Sequence, residues 1–224
     1  MKKIKFKNPL IFCILWLYAS FACAGSWYIG AGAGNSSFHY YEDFIADNQS
    51  DLDDINQIAG VNASASSDDS DTAIKLFGGY DFNKYFSVEA GYTDLGESSY
   101  SFSLTDSTGP VTDRIYLNST YGISGFHSAA IGKIPLSELV SLTARLGIYV
   151  WKVDTDESIR IEGTVSSQAS DSSSDDGTDL FYGIGLNVSW FSVYYETYNI
   201  DANIGGNSQE LDADLIGISG SFTF

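Results

Sequence analysis

The sequence predicts an all-β fold, an eight-stranded antiparallel transmembrane β-barrel, and three observations predict it. Segments of about ten residues alternate between apolar and small polar side chains, the period of a strand with two unlike faces. The connections between them alternate short and long, as in barrels with short periplasmic turns and long outer loops. The first 24 residues have the form of an export leader, and no run of 18 apolar residues follows that could make a transmembrane helix.

In the leader, Lys2, Lys3, Lys5 and Lys7 form a basic start and an apolar run extends from Leu10 to Phe21. Ala22-Cys23-Ala24 then puts small residues at the positions a signal peptidase reads. Cleavage is expected after Ala24, making residues 1–24 a signal peptide and residues 25–224 the barrel domain. Acylation of Cys23 is the alternative, but Ser20-Phe21-Ala22 lacks the usual aliphatic residue before the cysteine. Cleavage takes both cysteines and four of the 11 basic residues but none of the 29 acidic ones, leaving seven bases and a net charge of −22. So acidic a surface excludes nucleic acid as a partner, because phosphate binding needs a basic footprint. Two Cys and two His at these spacings do not make a zinc site. A small exported chain without thiols needs stabilisation other than disulfides, and a closed, membrane-embedded sheet supplies it.

The strands follow in order. From Trp27, the positions Trp27, Ile29, Ala31 and Ala33 alternate with Tyr28, Gly30, Gly32 and Gly34. Further segments lie near Ala73–Phe82, Phe86–Gly96, Arg114–Gly132 and Val140–Val153. In the last of these Leu142, Ala144, Leu146, Ile148 and Val150 oppose Ser141, Thr143, Arg145, Gly147, Tyr149 and Trp151. Thr178–Ser189 and Phe191–Ile200 repeat the pattern, and Ile216, Ile218, Phe222 and Phe224 carry it to the end. Short connections fall at Asn83-Lys84, Pro135–Leu139 and Trp190; long ones run Tyr41–Thr72, Ser98–Asp113, Asp154–Gly177 and Asp201–Gln209. A soluble barrel would turn the polar parity to water, but here that parity is mostly Gly, Ser and Thr. Aromatics such as Trp27, Tyr80, Phe86, Trp190 and Phe222 gather at segment ends, as in interfacial girdles.

Several stretches resemble the transmembrane domain of OmpA-like outer membrane proteins. They are Trp27-Tyr28-Ile29-Gly30-Ala31-Gly32, Lys75 through Asn83, Val88 through Gly96, Ile134-Pro135-Leu136-Ser137, Ala144 through Trp151, Tyr195-Glu196-Thr197-Tyr198 and the final Phe224. The resemblance implies an eight-stranded barrel in the bacterial outer membrane. It also implies that Phe224 is the terminal aromatic signal read by the barrel-assembly machinery. The peptidoglycan-binding domain that follows the barrel in many relatives is not expected here. His127 departs from the pattern: counting from Ile131 places it toward lipid, unless a bulge after Gly125 turns it inward.

Four charges fall mid-strand on the inward parity: Lys75, Glu89, Arg145 and Glu196. Two cations and two anions in one narrow lumen must pair, because an unpaired buried charge is costly. Lys75 and Glu89, on strands joined by a short turn, are the expected direct pair, with Arg145 reaching Glu196. The bulky inward residues are expected to be Tyr28, Phe77, Phe126, Tyr149, Trp151, Phe181, Tyr194 and Tyr198, so the network reads as a permanent plug. A gate with switchable pairs, and hence a narrow small-solute channel, is the alternative.

The acids concentrate outside. Tyr41–Thr72 holds nine carboxylates and no Lys or Arg, and Asp171, Asp175, Asp176 and Asp179 cluster in a later loop. Such loops are expected to be hydrated and self-repelling. Divalent cations are candidate ligands, although the spacing does not match an EF-hand. Ser37 and His39 share a strand face near Glu42 and Asp43, the only hint of a lipid-modifying enzyme, and it lacks a specific constellation. The expected protein is therefore a monomeric, non-catalytic outer-membrane barrel with a structural and surface role. It is surrounded by outer-membrane lipid and needs no cofactor or resident metal.

Overall fold

The computed structural model describes residues 25–204 and 207–224; the leader, with Cys23 and the expected cleavage after Ala24, lies outside the described residues. In chain order the elements are β1 (Ser26–Phe38), α1 (Tyr40–Asp47), α2 (Gln49–Asn56), β2 (Val61–Asp68), β3 (Ser70–Asn83), β4 (Phe86–Asp106) and β5 (Asp113–Pro135). Then come β6 (Val140–Glu162), β7 (Ser167–Val188), β8 (Phe191–Tyr198), β9 (Asp201–Ile204), β10 (Asn207–Glu210) and β11 (Ala213–Thr223). Eight strands close a ring, β1–β3–β4–β5–β6–β7–β8–β11 and back to β1, with every neighbour antiparallel. The seam between β11 and β1 runs from Tyr28↔Thr223 to Phe38↔Ala213. Closure leaves no unpaired edge within the hydrocarbon layer, the condition lipid imposes on a sheet.

The strands differ greatly in length. β4 to β7 have 21, 23, 23 and 22 residues, whereas β8 has 8 and β11 has 11. A membrane crossing takes only about 9–11 tilted residues. About half of β4–β7 therefore rises beyond the membrane as a wall on one side of the barrel mouth. The segments Ser98–Asp113 and Asp154–Gly177, expected as long loops, are mostly this wall; the connections themselves shrink to Ser107–Thr112 and Gly163–Ser166. Their polarity hid them, because Ser, Thr, Asp and Glu occupy most positions and backbone pairing supplies the order. β2 completes the wall by pairing with the outer half of β4, from Val61↔Asp106 to Asp68↔Ser99, while β3 pairs with the inner half. The handover lies at a bulge between Asp94 and Gly96. Gly96 sits at φ +84°, and a Cβ there would stand 2.6 Å from Asp71 Oδ2, so only glycine fits this turn.

The first outer connection also departs from expectation, since it contains two short helices. Tyr41 of α1 is buried, and its hydroxyl donates to Ser119 Oγ at 2.8 Å. Burial pushes the Tyr41 phenol up to about 12, so it remains a neutral donor throughout the physiological range. Asn56, at the end of α2, accepts from Ala63 N (2.7 Å) and donates to Ala63 O (3.0 Å), acting as a single strand rung against the edge of β2. The helices thus pack against the wall formed by β2 and β4 instead of extending away from it.

Face assignment follows the period of two in seven strands. Trp27, Ile29, Leu146, Ile184, Ile216 and Phe222 face lipid, whereas Tyr28, Tyr149, Phe181 and Leu215 are buried inside. Outward apolar residues run Leu142–Val150, Leu180–Val188 and Ile216–Phe224, the span a tilted strand needs. β5 reverses the expectation. Its pairing with β6 runs without a shift from Arg114↔Glu162 to Pro135↔Ser141, so no bulge follows Gly125. His127 (3% exposed), Ala129 and Ile131 point inward, and Phe126 (67% exposed) points to lipid, where its ring meets Tyr92 at 5.3 Å. The apolar Ile131 points away from lipid here because β5 puts the small Ser128, Ala130 and Gly132 outward, a face with too little contrast to mark the parity.

Residues 25–224 contain no cysteine, so single-cysteine spin labels test this reversal directly. A label at Phe126→Cys is expected to be accessible to lipid-soluble oxygen, and one at Ile131→Cys to be protected from it. The opposite pattern would restore the expected parity.

Candidate functional site

The site is the barrel interior, built by inward positions on β3, β4, β6 and β8. Lys75 Nζ lies 2.9 Å from Glu196 Oε1 and 3.4 Å from Glu89 Oε1. Arg145 Nη1 lies 2.5 Å from Glu196 Oε1, and Nη2 lies 3.6 Å from Glu89 Oε2. Each carboxylate therefore faces both cations in a four-cornered, electrically balanced ring. Lys75 and Glu196 are almost wholly buried, and Arg145 reaches the edge of an inner cavity. All four expected lumen charges come together, with one correction: the nearest partner of Lys75 is Glu196, not Glu89. β3 and β8 are separated by β1 and β11 along the sheet, but ring closure brings them face to face across a narrow lumen. Sequence proximity across the β3–β4 turn could not register that distance.

Tyrosines complete the ring. Tyr198 OH donates to Glu196 Oε2 at 2.7 Å and Tyr28 OH to Glu89 Oε2 at 3.3 Å. The Lys75 ammonium lies 5.5 Å from the Tyr194 ring centre and 5.9 Å from those of Phe77 and Phe181. These faces offer cation–π attraction in a site without bulk water. His127, which the sequence reading left outside the network, contributes Nε2 at 3.5 Å from Glu89 Oε1, with Nδ1 3.0 Å from Thr93 Oγ1. An odd-parity count on β5 anchored at Tyr121 and Ile123 would have found it.

Above the ring the lumen is closed by an apolar plug. Tyr121, Tyr149, Trp151, Val153, Phe181 and Tyr198 pack with Ile200, Leu211 and Leu215, all of them buried. Phe181 and Tyr198 stack at 5.0 Å, and Tyr149 meets Tyr198 edge-on at 4.9 Å. Below the ring a polar vestibule of about 110 Å³, reaching Arg145 and Glu89, opens between Tyr28, Lys133 and Ser221. Lys133 pairs with Asp81 at 2.5 Å at its wall.

The remaining sequence candidates stand apart from this centre. Phe224 lies at the seam, its backbone N–H donating to Trp27 O at 2.9 Å and its ring exposed. His39 Nε2 lies 3.2 Å from Asp214 Oδ2 on the outer rim, while Thr197 Oγ1 donates to Asp214 Oδ1 at 2.7 Å. The Ser37 hydroxyl is not hydrogen-bonded to His39, so the nucleophile–base contact required for acyl chemistry is not formed. Among the described residues no three His, Cys, Asp or Glu side chains gather closely enough to hold a metal ion.

The ring predicts a specific pattern of coupling. Glu196→Leu leaves two cations facing one carboxylate and is expected to cost about 3–5 kcal/mol in urea unfolding. Lys75→Met with Glu196→Leu is expected to cost less than the sum of the two, with a coupling of about 1–3 kcal/mol. Lys75→Met with Glu89→Leu is expected to couple more weakly. Additivity of Lys75 and Glu196 would show that they do not interact.

No curated protein matches the chain. Among solved structures, Neisserial surface protein A is 13% identical, with 90% of this chain and 100% of that one covered and a TM-score of 0.45. Ail, the attachment invasion locus protein of Yersinia pestis, in complex with the heparin analogue sucrose octasulfate, is 14% identical over 89% of this chain and 100% of its own, at a TM-score of 0.40. The outer membrane protein OprG from Pseudomonas aeruginosa is 14% identical over 91% and 98%, at 0.31. The sequence model of the OmpA-like transmembrane domain matches residues 22–195, most of the chain, and this protein belongs to that family of outer-membrane β-barrels.

Proposed function

We propose that this protein is a sealed, non-catalytic barrel that supports the outer envelope and acts through its acidic outer surface. The observation that carries the reading is the stacked closure of the lumen, with a charge ring overlain by an aromatic plug. A path for solutes would have to pass Lys75, Glu196, Phe181 and Tyr198, all with 1% exposure or less. Narrow barrels of this strand number are filled by side chains. The outer wall and helices carry most of the acids, and that surface is where the chain meets its surroundings.

One observation favours a second reading, a gated narrow channel. Because each carboxylate faces both cations, the pairs can exchange partners without stranding a charge.

Planar bilayers discriminate the two. The parent barrel is expected to give no conductance steps, and steps in the parent would overturn the sealed reading. If Glu89→Ala conducts while the parent does not, the ring is a gate that the parent keeps shut. Deleting the protein from its host is expected to weaken the envelope or its surface contacts, measured by detergent sensitivity and adhesion.

A further inference from the structure

His127 is buried among the ring residues yet takes no part in their pairing. Its Nδ1 lies 3.0 Å from Thr93 Oγ1, which leaves Nε2 facing Glu89 Oε1 at 3.5 Å. Neither atom of that facing pair makes a hydrogen bond, although both are buried. Lys75 of β3 stands 3.4 Å from the same carboxylate oxygen, and Arg145 of β6 stands 3.6 Å from the other. Glu196 of β8 acts on the imidazole from farther off, and the Phe181 ring of β7 meets it at 5.8 Å. The Tyr149 and Tyr198 phenols are spent as donors to Thr93 O and Glu196 Oε2. With His127 neutral, two cations balance two anions. A second ring proton makes both imidazole nitrogens donors, one toward Thr93 and one toward Glu89, and sets a third cation against two carboxylates.

An anion entering from outside the ring can compensate that excess, and the vestibule below the ring has the groups to hold one. The Arg145–Glu89 contact is the longest of the four in the ring, so a Glu89 drawn to His127 releases Arg145 first. The Arg145 side chain is only 9% exposed, it lines the vestibule, and its Nε has no hydrogen-bond partner among the described residues. Lys133 lines the same space, 2.5 Å from Asp81, and the hydroxyls of Ser189, Ser219 and Ser221 add neutral donors. The volume of about 110 Å³ has room for about three waters or one small anion. Ser189 belongs to the turn between β7 and β8, so the space opens at the short-turn, periplasmic end. While the ring is balanced, Glu89 and Asp81 match the cations on the wall and an anion gains little. A third cation turns the balance positive, and an uncompensated buried charge is costly.

We propose that the vestibule is a proton-linked anion site. Protonated His127 takes Glu89, Arg145 is freed toward the cavity, and a small inorganic anion such as chloride settles between Arg145, Lys133 and the serine hydroxyls. Linkage makes the effect reciprocal: the anion favours the protonated ring by the same factor as the proton favours the anion. Entry from the periplasmic end needs no path through the aromatic plug, so the site does not depend on whether the barrel conducts.

The test is ¹⁵N-histidine NMR of the refolded mature barrel in nanodiscs. The chain has two histidines, so His39→Gln leaves His127 as the sole reporter. As the pH is lowered the His127 ring is expected to take up a second proton. A tenfold rise in chloride, with gluconate holding the ionic strength constant, is expected to raise the midpoint of that uptake by about 0.5 pH unit or more. In the same samples ³⁵Cl line broadening is expected to grow on acidification. His127→Asn is expected to abolish that growth. Lys133→Gln/Asp81→Asn removes a cation and an anion together, and is expected to leave His127 titrating while its chloride dependence is lost. Heat-modifiable gel migration verifies that each variant is folded, and the chloride titration with Lys133 and Asp81 in place is decisive without the double variant. A midpoint that ignores chloride would overturn the proposal. So would a His127 that stays neutral throughout, or an equal chloride shift in the double variant, which would reduce the effect to general screening.

Discussion

Two cations and two carboxylates share a lumen too narrow to keep them hydrated, and most other features of the barrel answer to that constraint. Any one of the four left alone would carry the cost of an uncompensated buried charge. Lys75, Glu89, Arg145 and Glu196 avoid it by forming a closed ring in which each carboxylate touches both cations. The ring also links β3, β4, β6 and β8 across the interior, and its Lys75–Glu196, Arg145–Glu196 and Arg145–Glu89 contacts join strands that share no direct backbone ladder. The phenols of Tyr28 and Tyr198 occupy remaining carboxylate lone pairs, and the aromatic stack above excludes water from the outer side. Such a centre is weak evidence for stability as such, since apolar residues of equal volume could fill the space. Its effect is to fix which strands face which.

The membrane layer was legible in the sequence for a physical reason. Lipid on one side and a filled lumen on the other force a two-residue period, and Leu142–Val150 or Leu180–Val188 display it openly. The same argument located all four interior charges, because Lys, Arg and Glu at mid-strand have nowhere to go but inward. It failed on β5, where small outward residues and an inward Ile131 and His127 flatten the contrast between the faces. It also could not rank partners across the lumen: Lys75 meets Glu196 because the ring closes, a consequence of strand number and tilt and not of any local pattern.

The outer half was far less legible. The extensions of β4–β7 are rich in Ser and Asp and lack an apolar stripe strong enough to stand out, since water bathes at least one of their faces. Their order comes from backbone pairing carried upward from the membrane-embedded strands, and from Asn56 and Tyr41, which tie α2 and α1 to the wall. The two helices, of eight residues each, are too short for their periodicity to emerge from so acidic a stretch.

The account turns on the ring being dry and locked, and the Lys75 ammonium is its most direct reporter. In the refolded barrel with ¹⁵N-labelled lysine, NMR is expected to give a slowly exchanging Nζ signal for Lys75, distinct from those of the exposed Lys84 and Lys152. That signal is expected to disappear into the fast-exchanging envelope on Glu196→Leu. A Lys75 ammonium exchanging with water as fast as Lys84 in the parent barrel would contradict a closed ring and leave the lumen open.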